Sequence, residues 1–180
     1  MACTSKILVL LVPMFLGLIA EPNLVNGDAT LINDVCSKTI SPDYCHKCFD
    51  MYGPSAKEGL IALGRTSIDC GSYQCDHVLS SLIDFVGNTT NQELKSAFMD
   101  CASKYHSANE AVTNALFDWQ DASYTNASNQ ITVALQYSRD CGAKLQGYNP
   151  SPALADGINT FEGFCEASDG VLKQIAGSSL

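Results

Sequence analysis

The stretch Leu31-Ile32-Asn33-Asp34-Val35-Cys36-Ser37-Lys38-Thr39-Ile40-Ser41-Pro42-Asp43-Tyr44-Cys45 decides how this chain is read. A short helical element spans Thr30 to Lys38, and Ser41-Pro42-Asp43 then makes a turn. Pro42 suits a first helical position, because the N–H it lacks would be unpaired there in any case. Ser41 or Asp43 carries a side-chain oxygen able to cap the helix that follows. That second short helix is expected through Tyr44 to Met51, with Gly53-Pro54 as its stop. Cys36 and Cys45 stand on either side of the turn, where a bridge between them would pin the two helices as a hairpin.

Beyond the hairpin the apolar residues recur at helical spacing, and no alternating β-branched run appears. Ile61, Gly64, Ile68, Gly71, Cys75, Val78, Leu82 and Phe85 fall three or four apart, which places them on one stripe, and Gly87-Asn88 closes the segment. Leu94, Ala97, Cys101, Tyr105, Ala108, Val112, Ala115 and Trp119 keep the same period. Tyr124, Ala127, Ile131, Ala134, Tyr137, Cys141 and Leu145 make a third stripe, which Gly147 and Asn149-Pro150-Ser151-Pro152 end. Leu154, Ile158, Phe161, Cys165, Ser168, Leu172 and Ile175 make a fourth. Short connections make sequential neighbours antiparallel. The fold expected is therefore all-α: an up-down-up-down four-helix bundle with an N-terminal helical hairpin extension, stapled by disulfides. Glycines inside the helices (Gly64, Gly71, Gly142, Gly157, Gly163, Gly170) suggest close helix contacts. Each costs roughly 1 kcal/mol against alanine, so crosslinks should matter.

Upstream, Lys6 precedes an apolar run from Ile7 to Ala20, interrupted by Pro13 and Gly17. The run is shorter than the roughly 20 residues a membrane-spanning helix needs, and it fits the core of a secretory signal peptide. Cleavage is expected after Ala20 or after Gly27. The second is preferred for its small residues Val25 and Gly27, making residues 1–27 the signal and 28–180 one domain. Export fits the cysteines. Nine less Cys3 leaves eight: Cys36, Cys45, Cys48, Cys70, Cys75, Cys101, Cys141 and Cys165. In an oxidising compartment such a set reads first as disulfides. Asn88-Thr-Thr and Asn126-Ala-Ser are sequons for N-glycosylation.

The net charge of −9 excludes the basic footprint of a nucleic-acid binder and favours a basic protein partner, steered in by long-range attraction. Cys45-His46-Lys47-Cys48 and Cys75-Asp76-His77 have ligand-like spacings for zinc, but taking Cys45 would strand Cys36. His46, His77 and His106 read as surface or helix-face residues. Ser72, Ser80 and Ser81 near His77 form no recognisable triad, and Cys165 lies on a core stripe, where a thiol is inert packing. No catalytic residue, cofactor or metal is expected. Tyr105, Trp119, Tyr124 and Tyr137 lie at helical spacing and read as core or rim packing. An exposed Trp119 or Tyr124 near a helix end would be an anchor for a partner.

LINDVCSKTISPDYC, DCASKYHSANEAV, ASYTNASNQITVALQYSRDC and the C-terminal helix with Cys165 together resemble the plant invertase and pectin methylesterase inhibitors. The resemblance covers nearly the whole chain after the signal, in order and spacing. It implies a four-helix bundle with an N-terminal hairpin and two bridges, Cys36–Cys45 and Cys101–Cys141, with Cys165 often free. A Cys101–Cys141 bridge would staple the second long helix to the third. Cys48, Cys70 and Cys75 go beyond that set; Cys48–Cys70 or Cys48–Cys75 would tie the hairpin to the first long helix, and four cysteines with Cys165 allow three full pairings.

The resemblance further implies a secreted, monomeric, non-catalytic protein of the cell wall or apoplast. Its expected action is to dock helices into the sugar-binding cleft of a target enzyme, with no covalent step. The Pro-Lys-Phe motif that cell-wall invertase inhibitors can carry is absent; the region reads Asp121-Ala122-Ser123-Tyr124. The pattern Asp121-x-x-Tyr124-x-x-Ala127 is closer to pectin methylesterase inhibitors. Their frequent Thr-Cys-Glu-Asp is replaced by Asp140-Cys141-Gly142-Ala143. Pectin methylesterase is thus the first target expected. Invertase is second, and a scaffold that has lost its contact residues is third. The target contacts to look for are Asn109, Glu110, Tyr124 and Asp140.

Overall fold

A computed structural model describes residues 24–52 and 59–178. The Lys6–Ala20 leader and the Gly53-Pro54 stop lie outside the described residues. Six helices are described: α1 Leu24–Ser37, α2 Pro42–Tyr52, α3 Leu60–Asn88, α4 Gln92–Gln120, α5 Tyr124–Leu145 and α6 Pro152–Ser178. No strand occurs among the described residues. Helix α1 begins before Gly27, so the cut expected there falls inside its first turn.

The four long helices form a ring in which α3 packs on α4, α4 on α5, α5 on α6 and α6 back on α3. Turns of a few residues force each neighbour to reverse. The core is drawn largely from the four expected stripes, with Leu63 added from beside the first. Leu63, Ile68 and Leu82 meet Tyr105, Val112, Ile131, Leu145, Phe161, Leu172 and Ile175, all buried. Where α4 meets α5, Ala97, Ala108, Ala115, Ala127 and Ala134 are buried, and their small side chains let the two helices approach closely. Ile61 is exposed and Phe85, Leu94, Trp119, Tyr124 and Tyr137 are only partly buried; two of these have a visible cause. Ile61 is half-exposed, because it lies in the first turn of α3, and there its carbonyl accepts the Trp119 indole N–H at 3.1 Å. Tyr137 is only partly buried, because the adjacent Ser138 turns inward to meet the Tyr105 hydroxyl at 2.8 Å.

The helix ends follow local chemistry. Asn91 caps α4 by accepting the Leu94 N–H at 3.1 Å. At the other end Ala122 takes the left-handed conformation (φ 56°), and the Ser123 N–H reaches back to the Asp118 carbonyl at 2.8 Å. Helix α2 starts at Pro42, as its turn chemistry requires, but the Ser41 hydroxyl donates to Glu166 of α6.

The hairpin of α1 and α2 lies against α6, with α2 also touching α3. Glycines make room for it. A Cβ at Gly163 would overlap the Tyr44 ring, and one at Gly170 would come within 2.9 Å of the Thr39 side chain. Gly64 and Gly157 mark further close approaches. Gly71 has open space around it, and nothing comes nearer than 4.0 Å at Gly142, so these two glycines do not mark helix contacts.

Candidate target-docking surface

Three disulfides set the rigidity of the surface. Cys36–Cys45 closes the hairpin turn, Cys48–Cys70 ties α2 to α3, and Cys101–Cys141 ties α4 to α5, with Cα atoms 5.4, 5.8 and 4.8 Å apart. The choice of Cys70 over Cys75 follows from where the hairpin packs. Cys75 belongs to the apolar stripe and Cys70 does not. In the fold Cys75 turns to the Tyr105 carbonyl at 3.6 Å, and Cys70 meets the hairpin.

Cys75 and Cys165 remain buried thiols. Burial, with a smaller push from Asp76, raises the Cys75 pKa to about 12. Burial raises that of Cys165 as well, helped by Cys75, Glu162 and Glu166 and opposed by Arg139. Neither supplies the thiolate that a cysteine nucleophile needs. His46 is half-buried, and His77 and His106 are exposed. Cys45 and Cys48, the zinc-like pair, sit in separate disulfides. Among the described residues no three of His, Cys, Asp or Glu gather as a metal site.

The four expected contact residues do not form one patch. Asn109 faces α3, donating to Asp76 at 2.6 Å. Glu110 is exposed beside it, and the two line a shallow hollow of about 300 Å³ with His106, Thr113 and Asn114. Tyr124 is half-buried in the first turn of α5, and its ring packs on the core. Asp140 is exposed near the other end of α5 and accepts the Gln136 amide at 2.8 Å. At 1.5 Å per residue, Tyr124 and Asp140 are roughly 24 Å apart along the axis. Between them runs an exposed stripe that the expected contact set leaves out: Asn129, Thr132, Val133 and Gln136. Its signal is the complement of the third apolar stripe. It carries no lysine or arginine, and Arg139 beside it is engaged with Glu166 at 2.7 Å.

Other sequence features fall on the rim. Trp119 is partly buried, with the Arg65 guanidinium 5.7 Å from its ring centre, whereas Phe117 is 57% exposed. Asn88 and Asn126 are both exposed. Ser128, the hydroxyl residue of the second sequon, is buried and donates to Asp169 at 2.6 Å.

A profile described as plant invertase/pectin methylesterase inhibitor matches residues 30–177. Among solved structures, a mutant form of a pectin methylesterase inhibitor from Arabidopsis is 19% identical, with a TM-score of 0.71 over 79% of this chain and 95% of that one. A pectin methylesterase inhibitor from Arabidopsis thaliana is 17% identical, with a TM-score of 0.63 over 82% of this chain and 97% of that one. At these identities the likeness speaks for the fold. No curated protein gives a significant match. Hairpin, ring of four helices and matched profile agree: the chain belongs to the plant invertase/pectin methylesterase inhibitor family, whose members are inhibitors and not enzymes.

Proposed function

We propose that this chain is a secreted inhibitor of a plant pectin methylesterase, acting by non-covalent occlusion of the substrate cleft. On this reading residues 1–27 direct export to the cell wall and are removed, and residues 28–180 act there as a monomer, with Asn88 and Asn126 open to glycosylation. The observation that carries it is the outer stripe of α5 from Asn129 to Asp140. It is exposed, free of cations and backed by a helix that Cys101–Cys141 fastens to α4. A surface held in place before contact loses little freedom on binding, so more of the interaction energy appears as affinity. The absence of basic groups from the stripe suits a basic enzyme surface and a fast, salt-sensitive encounter.

Sequence supports the esterase over the invertase through Asp121-x-x-Tyr124-x-x-Ala127 and the missing Pro-Lys-Phe. Part of that pattern serves packing, since Ala127 is fully buried and Tyr124 rests on the core. Asp121 is the exposed member. The loss of Thr-Cys-Glu-Asp leaves Asp140 as the acid on this side of the bridge.

The test adds oxidised protein to a plant pectin methylesterase and, separately, to a cell-wall invertase at mildly acidic pH. The esterase is expected to lose activity in proportion to inhibitor added, and the invertase to keep its own. Inhibition of the invertase alone would overturn the choice of target, and no effect on either would leave a scaffold without inhibitory contacts.

A further inference from the structure

The hairpin's attachment to α6 ends in a chain of polar groups that runs into the core. Near its outer end the Gln174 amide donates to the Val35 carbonyl at 3.0 Å. Two turns back along α6, the Ser41 hydroxyl donates to one oxygen of Glu166, and Arg139 of α5 donates to the other at 2.7 Å. One turn further back, Glu162 accepts the Ser138 hydroxyl at 3.2 Å, and Ser138 is bonded to the buried Tyr105 hydroxyl at 2.8 Å. Two carboxylates one turn apart on α6 thus sit beside a single guanidinium.

We propose that Glu162 and Glu166 form a pH-dependent latch between the bundle and the hairpin. With Glu162 neutral, Arg139 and Ser41 are left to Glu166, and the turn between α1 and α2 is fastened. With Glu162 ionised, a second negative charge competes for Arg139, repels Glu166 and loosens the Ser41 contact.

Burial raises the proton affinity of Glu162; Ser138 and Arg139 oppose this, and Glu166 adds to it, leaving the pKa above the ordinary carboxylate value. The Tyr105 hydroxyl of α4 and the Cys75 and Cys165 thiols of α3 and α6 are all raised by burial and stay neutral. Lys47 of α2 turns to Thr160 and to the rings of Tyr44 and Phe164. For a carboxyl whose folded pKa is raised, the stabilisation is complete below the unfolded value and is lost as pH rises through the folded one. The latch therefore holds in acidic medium and weakens toward neutrality.

Hydrogen exchange tests it on the oxidised full-length protein, from about pH 4 to about pH 7, a span that takes in the ordinary carboxylate range and above. The reporters are the Thr39 and Cys45 amides, bonded to the Cys36 and Ser41 carbonyls at 3.0 Å. After correction for intrinsic exchange, their protection is expected to fall about twofold or more as pH rises, the scale of a like-charge pair one turn apart on a helix. Glu162→Gln should hold protection level across the range, and Glu166→Gln should lower it throughout. Arg139→Gln, at an exposed position that tolerates change, should lower protection throughout, since Glu166 loses its guanidinium partner. An unchanged pH dependence in Glu162→Gln, or full protection in Glu166→Gln or Arg139→Gln, would overturn the latch.

Discussion

The α4–α5 seam and the hairpin–α6 seam hold the same molecule together by different means. The first is lined with buried alanines, with Tyr105 and Ser138 paired inside it and a disulfide spanning 40 positions. The second relies on notches at Gly163 and Gly170 and a short polar chain through Glu166, with no disulfide across it among the described residues; the hairpin's own bridge, Cys36–Cys45, spans only 9 positions and joins α1 to α2. The bundle seam carries global stability, while the hairpin seam positions an appendage that can open locally within the reach its Cys48–Cys70 bridge to α3 leaves it. The inhibitor surface proposed above lies on α5, whose other side forms the stronger seam.

Removing the disulfides one at a time should break this comparison most visibly. Replacing Cys101 and Cys141 by serine is expected to cost about 4 kcal/mol in denaturant unfolding, from the loop it closes. The same change at Cys36 and Cys45 should cost about 2.5 kcal/mol, from the shorter loop. Its effect should also be local, with faster exchange of the Thr39 and Cys45 amides while α4 and α5 stay protected. Equal global losses from the two changes would contradict the distinction between the seams.

Glycine replacements give a smaller and sharper test. Gly163→Ala forces a methyl into the Tyr44 ring near its attachment, and overpacking of this kind costs about 1–3 kcal/mol. Gly71→Ala enters open space and should gain up to about 1 kcal/mol from helix propensity. Thermal unfolding of the two variants should therefore shift in opposite directions. A shift in the same direction would mean that the hairpin does not depend on the α6 notch.

The hairpin was the most legible part of the chain, because Ser41-Pro42-Asp43 encodes its turn in neighbouring residues. The four long helices were legible from period alone, and most of their stripe positions are buried, the exceptions lying mainly toward the helix ends. What stayed hidden depends on which helix faces which. Glycines at helical spacing do not reveal whether a partner approaches, so Gly163 and Gly71 look alike in sequence and differ in the fold. Cys48 could be matched to Cys70 or Cys75 only once the hairpin was seen to lie off the α3 stripe. Asn109 is a polar residue on a helix face like any other until Asp76 of α3 is found opposite. The network from Tyr105 through Ser138 to Glu162 joins three helices, and no local pattern announces it.

Whether the stiff α5 surface blocks a cleft is most directly answered by steady-state titration of oxidised protein against pectin methylesterase at several pectin concentrations. Occlusion requires that raising pectin displace the inhibitor, so the apparent inhibition constant should climb linearly with substrate. An inhibition constant that stays flat as pectin rises, or no inhibition at any concentration, would contradict it.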